Sequence, residues 1–333
     1  MIKKHTKYSP LIPVCCAYLL LPVVGHNVAG MWQLAAVLAF YCALGQAFNI
    51  FIGMTGYVDF GYVAFLGLGT YGMALSISWL SRVEGLGIGI IVIGLALAVG
   101  MAGLLSVAVG AVALRLRGAY FAIATVGVNE GFRYFIEGSR IWGGAEGIIF
   151  SGHVRRLFGR DGASALSTFW ADVMVLSVAV IAAVITLAYM RGKIGYALTA
   201  LREDEDAAKV MGVNVTRYKI LAFITSASLA GLLGACAWAL KLMYVFPPEA
   251  FDIQYTVEAI IIVVLGGAGT LLGPVVGGLI YGLFKYWLAV VIPGFQLLIF
   301  APIVIVFIVA FPEGIIGWVK RRVKGGPLQS YVL

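Results

Sequence analysis

Charge is scarce in this chain. Asp, Glu, Lys and Arg together make up 11% of its 333 residues, where a soluble domain carries roughly 25%. So few charges cannot cover a water-soluble fold of this size. Histidine and cysteine are thin as well. His5, His26 and His153 stand singly, and Cys15, Cys16, Cys42 and Cys236 lie in apolar runs without metal-ligand spacing. That argues against a zinc site or a disulfide scaffold and leaves the cysteines as small apolar fillers. Catalytic spacings are missing too: there is no G-x-x-x-x-G-K-[ST], no G-x-S-x-G, no H-E-x-x-H and no aspartate dyad. The chain therefore reads as neither an enzyme nor an ATPase, and it calls for no metal and no cofactor.

What is abundant is apolar surface, at 62% of residues. Long runs occupy 10–28, 31–52, 61–80, 85–114, 118–136, 168–190, 220–243, 257–272, 274–292 and 296–311. A spanning helix takes about 20 residues, and continuous rather than alternating runs indicate helices, not barrel strands. The expectation is an all-α polytopic membrane protein, one transmembrane domain over residues 1–333, with about ten transmembrane helices. Several of them are broken by glycine or proline. The loops are too short for a soluble ATPase or a large receptor domain.

The net charge of +8 falls mostly where a membrane protein needs it, so it is not a nucleic-acid signal. Lys3, Lys4 and Lys7 place the N-terminus in the cytoplasm. Ten crossings then return Lys320, Arg321, Arg322 and Lys324 to the same side, with Arg115, Arg117, Arg191, Lys193, Arg202, Lys209, Arg217 and Lys219. Arg133, Lys241 and Lys285 lie near or inside spans, and the 137–167 loop is basic for an external one. The first run, ending in Val28-Ala29-Gly30, also has the layout of a signal peptide.

Residues 191–219, RGKIGYALTALREDEDAAKVMGVNVTRYK, form a charged island between two spans. Ala197, Leu198, Leu201, Ala208 and Met211 recur at helical spacing, so residues 196–211 read as one short amphipathic helix after Gly195. Gly212 supplies a left-handed end, and Asn214 or Thr216 caps the next span. The residues alone leave two readings open: a docking element for a soluble partner, or a solvated loop with a Glu205–Lys209 pair.

Three stretches carry a resemblance. GYALTALREDEDAAKVMGVNVTRYKILAF is similar to the cytoplasmic coupling segment of branched-chain amino-acid ABC-transporter permeases of the LivM type. LRGAYFAIATVGVNEGFR resembles that family's RG-x-YFAI-x-T-x-G-x-x-E-x-x-R pattern, through Arg117, Gly118, Tyr120, Thr125, Gly127, Glu130 and Arg133. VVLGGAGTLLGPVVGG resembles its glycine-rich C-terminal segment. The similarity runs in order from about residue 47 to 283. The resemblance departs at GMTGYVDFGYVAF, where Asp59 and Tyr62 stand for a serine and a histidine.

The resemblance implies a multi-pass permease of a bacterial plasma (inner) membrane, both termini cytoplasmic, surrounded by lipid. It implies ATPase subunits on the cytoplasmic face, a periplasmic or extracellular solute-binding protein, a second homologous permease and a small-molecule substrate. Branched-chain amino acids lead; similar permeases carry other amino acids, amides or urea. In that role Leu198, Leu201 and Met211 would fill a groove on the ATPase, with Arg202, Glu203 and Asp204 through Asp206 as a polar rim. Ala207 and Ala208 permit close approach, and Gly212 ends the helix.

Gly53, Gly56 and Gly61 with Asp59 make a continuous helix expensive there, since glycine costs about 1 kcal/mol against alanine and an acid at membrane depth costs more. A break facing protein or water is expected, with Gly56, Asp59, Gly61 and Tyr62 lining a passage. Gly266, Gly267, Gly269 and Gly273 repeat that punctuation and suggest a matching half. Gly277, Gly278 and Gly282 read as helix packing. Gly67-x-Gly69-x-x-Gly72 lacks the βαβ context of a dinucleotide site. Glu130 and Arg133 sit one turn apart and either serve the passage or pair structurally; Glu258 opens a span and is expected to meet external water. A rival mechanism, an ion-gradient transporter or channel, would work through Asp59, Glu130 and Glu258.

Overall fold

The structure is a computed structural model that describes residues 31–291 except Glu84, with Pro302 and Gly314–Arg322. The run 10–28, all of the run 296–311 but Pro302, the N-terminal lysines and signal-peptide layout, Cys15, Cys16, His5, His26 and Lys324 lie outside the described residues.

Helix dominates, because only helices close every backbone hydrogen bond within one segment in hydrocarbon. In chain order the helices are α1 (Met31–Asn49), α2 (Ile52–Thr55), α3 (Val63–Leu80), α4 (Gly89–Ala113) and α5 (Ala119–Gly138). Strand β1 (Ile148–Ile149) precedes α6 (Ser151–Ala165), which is kinked at Gly159. Next come α7 (Ala171–Arg191), α8 (Lys193–Glu203), α9 (Glu205–Val210) and α10 (Val215–Gly234). Strand β2 (Tyr244–Val245), α11 (Pro247–Ala250), α12 (Gln254–Gly266), α13 (Gly273–Val291) and α14 (Gly314–Arg322) complete it.

Among the described residues six helical stretches are long and apolar enough to cross a membrane: Trp32–Thr55, Val63–Leu80, Gly89–Ala113, one within Ser151–Arg191, Val215–Leu242 and Gly273–Val291. The runs 118–136 and 257–272 are helical but fall short. The helix over the first, α5, holds Glu130, Arg133 and Glu137, and α12 has 13 residues.

The chain divides into two units. The first takes residues up to Gly56, Ala179–Asp204 and those from Glu258 onward; the second takes Tyr57–Val178 and Glu205–Val257. In the first unit α1 packs along α13, and Gly278 lets the backbones close, since a methyl there would lie 2.7 Å from the Cα of Cys42. This is the packing role expected of that glycine ridge. Glu258 is not at external water: it is buried and forms an ion pair with Lys285 of α13.

The second unit is built on α3, α4 and α10. A methyl on Gly69 would sit 2.0 Å from the Gly231 carbonyl oxygen, so part of the Gly67–Gly69–Gly72 pattern is a helix-crossing seam. β1 pairs antiparallel with β2, Ile148 opposite Val245 and Ile149 opposite Tyr244. Lys241 reaches Asp172 at 2.6 Å, and Leu104 and Val112 of α4 point outward, as suits a hydrocarbon-facing helix.

Candidate functional site

The 191–219 island contains two helices where one was expected. Asp204 takes an extended conformation (φ −155°, ψ 112°) that ends α8, and α9 starts at the next residue. The chain also passes from the first unit to the second at this bond. Gly195 lies inside α8 rather than before it. The C-terminal signals hold: Gly212 is left-handed (φ 84°), and the Asn214 side chain accepts the Arg217 amide at 3.1 Å.

In the first unit α8 packs on α2. Leu198 and Leu201 are 0% and 3% exposed, which corrects the expectation that they face a partner: the chain's own core already covers them. Arg202 is exposed along its length, but the tip of its guanidinium reaches inward, Nη1 donating to the Gly53 carbonyl oxygen at 2.6 Å. Glu203 and Asp204 are exposed.

In the second unit Glu205 accepts from Lys219 Nζ at 2.7 Å, from the Tyr57 hydroxyl at 2.6 Å and from Lys209 Nζ at 2.9 Å. Lys219 is 2% exposed, and its ammonium lies 3.9 Å from the centre of the Tyr57 ring. Burial pushes the Glu205 carboxyl up, but the hydrogen bonds from Lys219, Tyr57 and Lys209 outweigh it and hold the group down at about 2. Burial, then Glu205, raises the Tyr57 phenol above its ordinary range. Asp206 receives both guanidinium nitrogens of Arg117, at 2.7 and 3.0 Å, and that fork lowers its carboxyl. Two acids expected on a docking rim are thus tied into their own unit. Ala208 is buried, whereas Ala207 is exposed and Val210 and Met211 are 86% and 83% exposed. On α9 and the turn after it, the exposed apolar residues are Ala207, Val210 and Met211.

The break after α2 exists as expected. Gly56 ends α2 in the left-handed region (φ 75°), and α3 resumes at Val63. In the second unit Asp59 is 1% exposed. Its Oδ1 accepts the Gly61 amide at 2.9 Å, an Asx turn, while Oδ2 is buried without a well-formed hydrogen bond among the described residues, the Thr125 side chain being the polar group beside the carboxylate. Gly61 lies against the Thr125 carbonyl, where a methyl would collide at 2.1 Å. Thr125 Oγ1 accepts from the Phe60 amide, and the buried Tyr62 hydroxyl donates to the Ser226 carbonyl at 3.3 Å.

Glu130 and Arg133 pair at 3.3 Å, and Arg133 also reaches Glu137 at 3.0 Å, so the three form a ladder along α5. Neither Glu130 nor Arg133 shares a hydrogen bond or ion pair with Asp59 among the described residues. Sequence reasoning missed Lys219, Tyr57 and Lys285. For the two lysines the signal was a lone cation at or within an apolar run, without its partner in view; Tyr57 carried none.

Comparison with known proteins agrees with the three motifs. The family model described as "Branched-chain amino acid transport system / permease component" matches residues 30–308. The high-affinity branched-chain amino acid transport system permease protein LivM of Salmonella typhimurium is 32% identical over 265 residues. Its counterpart of the same name in Escherichia coli is 31% identical over 265 residues. Each alignment covers 72% of this chain and 59% of the relative, so the match spans about three-fifths of those proteins. No solved structure matches the chain. On the family match and its apolar helices, this multi-pass membrane chain belongs to the branched-chain amino acid transport system permease family.

Proposed function

We propose that the chain is the transmembrane permease subunit of an ATP-driven importer for branched-chain amino acids. It crosses a bacterial inner membrane about ten times, with both termini cytoplasmic. The observation that carries the reading is the family match over residues 30–308. The organised 193–212 segment supports it: an ion-gradient transporter has no need of two short helices held by a buried cation and a guanidinium, presenting Ala207, Val210 and Met211 outward.

On this reading ATP hydrolysis belongs to separate subunits that dock on that segment, and the chain itself does no covalent chemistry. A solute-binding protein delivers substrate from the opposite face, and a second permease of the family completes the passage. Work is transmitted because the ATPase binds two states of the segment with different affinity. The residues assigned to the passage are Gly56, Asp59, Gly61, Tyr62, Glu130 and Arg133, and the buried Asp59 carboxylate is the one whose charge the apolar surroundings compensate least.

The test is uptake in proteoliposomes holding the permease pair, the ATPase subunits and the binding protein. Labelled leucine, isoleucine or valine should accumulate only with internal ATP. Uptake that persists without the ATPase subunits under an ion gradient would establish a secondary transporter. ATP-dependent uptake of urea or an amide, with none of the three amino acids, would keep the mechanism and replace the substrate.

A further inference from the structure

Within the first unit, two interrupted spans and α8 meet at a pair of glycines. A methyl on Gly53 would lie 2.6 Å from the Gly269 amide nitrogen, so α2 and the turn between α12 and α13 touch backbone to backbone. Asn49 straps them together: its Oδ1 accepts the Gly269 amide at 2.9 Å, and its Nδ2 donates to the Thr270 carbonyl at 3.0 Å. The two glycine clusters that look like matching punctuation in the sequence are neighbours here.

Arg202, one residue from the end of α8, enters this junction. Its Nη1 donates to the Gly53 carbonyl at 2.6 Å and lies 2.6 Å from where a Gly269 Cβ would stand, and its Cγ runs past Gly56 at 3.4 Å from that residue's Cβ position. Gly53 is in the last turn of α2, where carbonyls have no intrahelical donor and a cation is favoured. Arg202 makes no ion pair among the described residues, although acids occupy the next four positions of the chain. A long charged side chain on an exposed helix end costs rotamer freedom to hold inward. The interaction holding it here is a backbone carbonyl at the break in a span.

We propose that Arg202 is the positioning residue that carries displacement of α8 to the Gly53–Gly269 junction, and so sets how tightly ATP hydrolysis is linked to movement of the interrupted spans. This rests on the reading of residues 193–212 as the coupling segment, and it gives Arg202 an inward task in place of a docking contact. Glu203 and Asp204, exposed beside it, do not share that task.

The experiment measures solute moved per ATP hydrolysed in the reconstituted complex, for wild type, Arg202→Ala and Arg202→Lys. Arg202→Ala should associate with the ATPase subunits and hydrolyse ATP when stimulated by the binding protein, while solute per ATP falls about tenfold or more. Arg202→Lys keeps one donor but loses the planar fork, and should fall between the two. An unchanged ratio in Arg202→Ala overturns the proposal; so does lost ATPase association, which would make Arg202 a docking contact. If the alanine variant does not insert, the lysine variant decides: a lowered ratio with normal association supports the link, and a wild-type ratio overturns it. Ala207→Trp in the same assay separates the two claims. Wild-type association and stimulation there would remove the coupling reading itself, whatever Arg202 does.

Discussion

Lys219 and Glu205 form an ion pair of 2.7 Å with the lysine 2% exposed, in a chain that has only 15 acidic residues. The pair fixes the start of α9 to the first turns of α10, and Tyr57 adds its hydroxyl and its ring face to the same ammonium. In the proposed docking role α9 would have to transmit force rather than yield to it, and this cluster ties it to α10.

Removing one partner should therefore cost more than removing both. Glu205→Ala leaves an ammonium buried and unpaired, and should lower stability by about 3–5 kcal/mol. The double variant Glu205→Gln/Lys219→Met should recover most of it. Thermal unfolding of the purified permease in detergent reads both. Equal losses in the single and double variants would mean that the charges do not matter as a pair.

The same carboxylate predicts a pH response with a definite sign. Glu205 titrates at about 2 in the folded chain, against an ordinary 4.5. Its contribution is complete above pH about 4.5, where both states are ionised, and is lost as pH falls from there through about 2, because the unfolded chain takes up the proton first. Melting temperature against pH should fall over that window more steeply in wild type than in Glu205→Gln. Parallel curves would contradict the assignment.

Burial separates two leucines from a methionine that share one helical pattern in the sequence. Leu198→Ala should destabilise by about 2–5 kcal/mol, as for a fully buried leucine, and Met211→Ala by no more than about 0.5 kcal/mol. Affinity for the ATPase subunits should show the reverse order. Binding by titration and unfolding by heat, measured on both variants, check it.

The spans were legible because hydrocarbon demands long apolar runs, and the ends of α9 and α10 because Gly212 and Asn214 act locally. The break at Asp204 was hidden: Leu198, Leu201, Ala208 and Met211 keep helical spacing across it. Amphipathicity reveals that a face is covered, not what covers it. For Leu198 and Leu201 that is this chain's own core. Long-range partners leave no pattern either. Tyr57 and Glu205 are 148 residues apart, and Glu258 and Lys285 are 27 apart.

At Asp59 the Asx turn accounts for Oδ1, but Oδ2 is buried without a well-formed hydrogen bond among the described residues, an arrangement that costs about 1–3 kcal/mol and is tolerated at functional sites. Asp59→Asn keeps the turn acceptor, so the variant should fold and assemble yet change uptake kinetics. Wild-type kinetics would reduce Asp59 to a turn former.

If residues 193–212 receive the ATPase, as proposed, Ala207 is the position at which a single substitution decides it. Ala207 is exposed on α9, one turn before Val210, so a tryptophan there would stand between the helix and a docked partner. Binding-protein-stimulated ATP hydrolysis by the co-purified complex is the measurement. Ala207→Trp should insert normally but lose ATPase association or stimulation. Association and stimulation equal to wild type would contradict it.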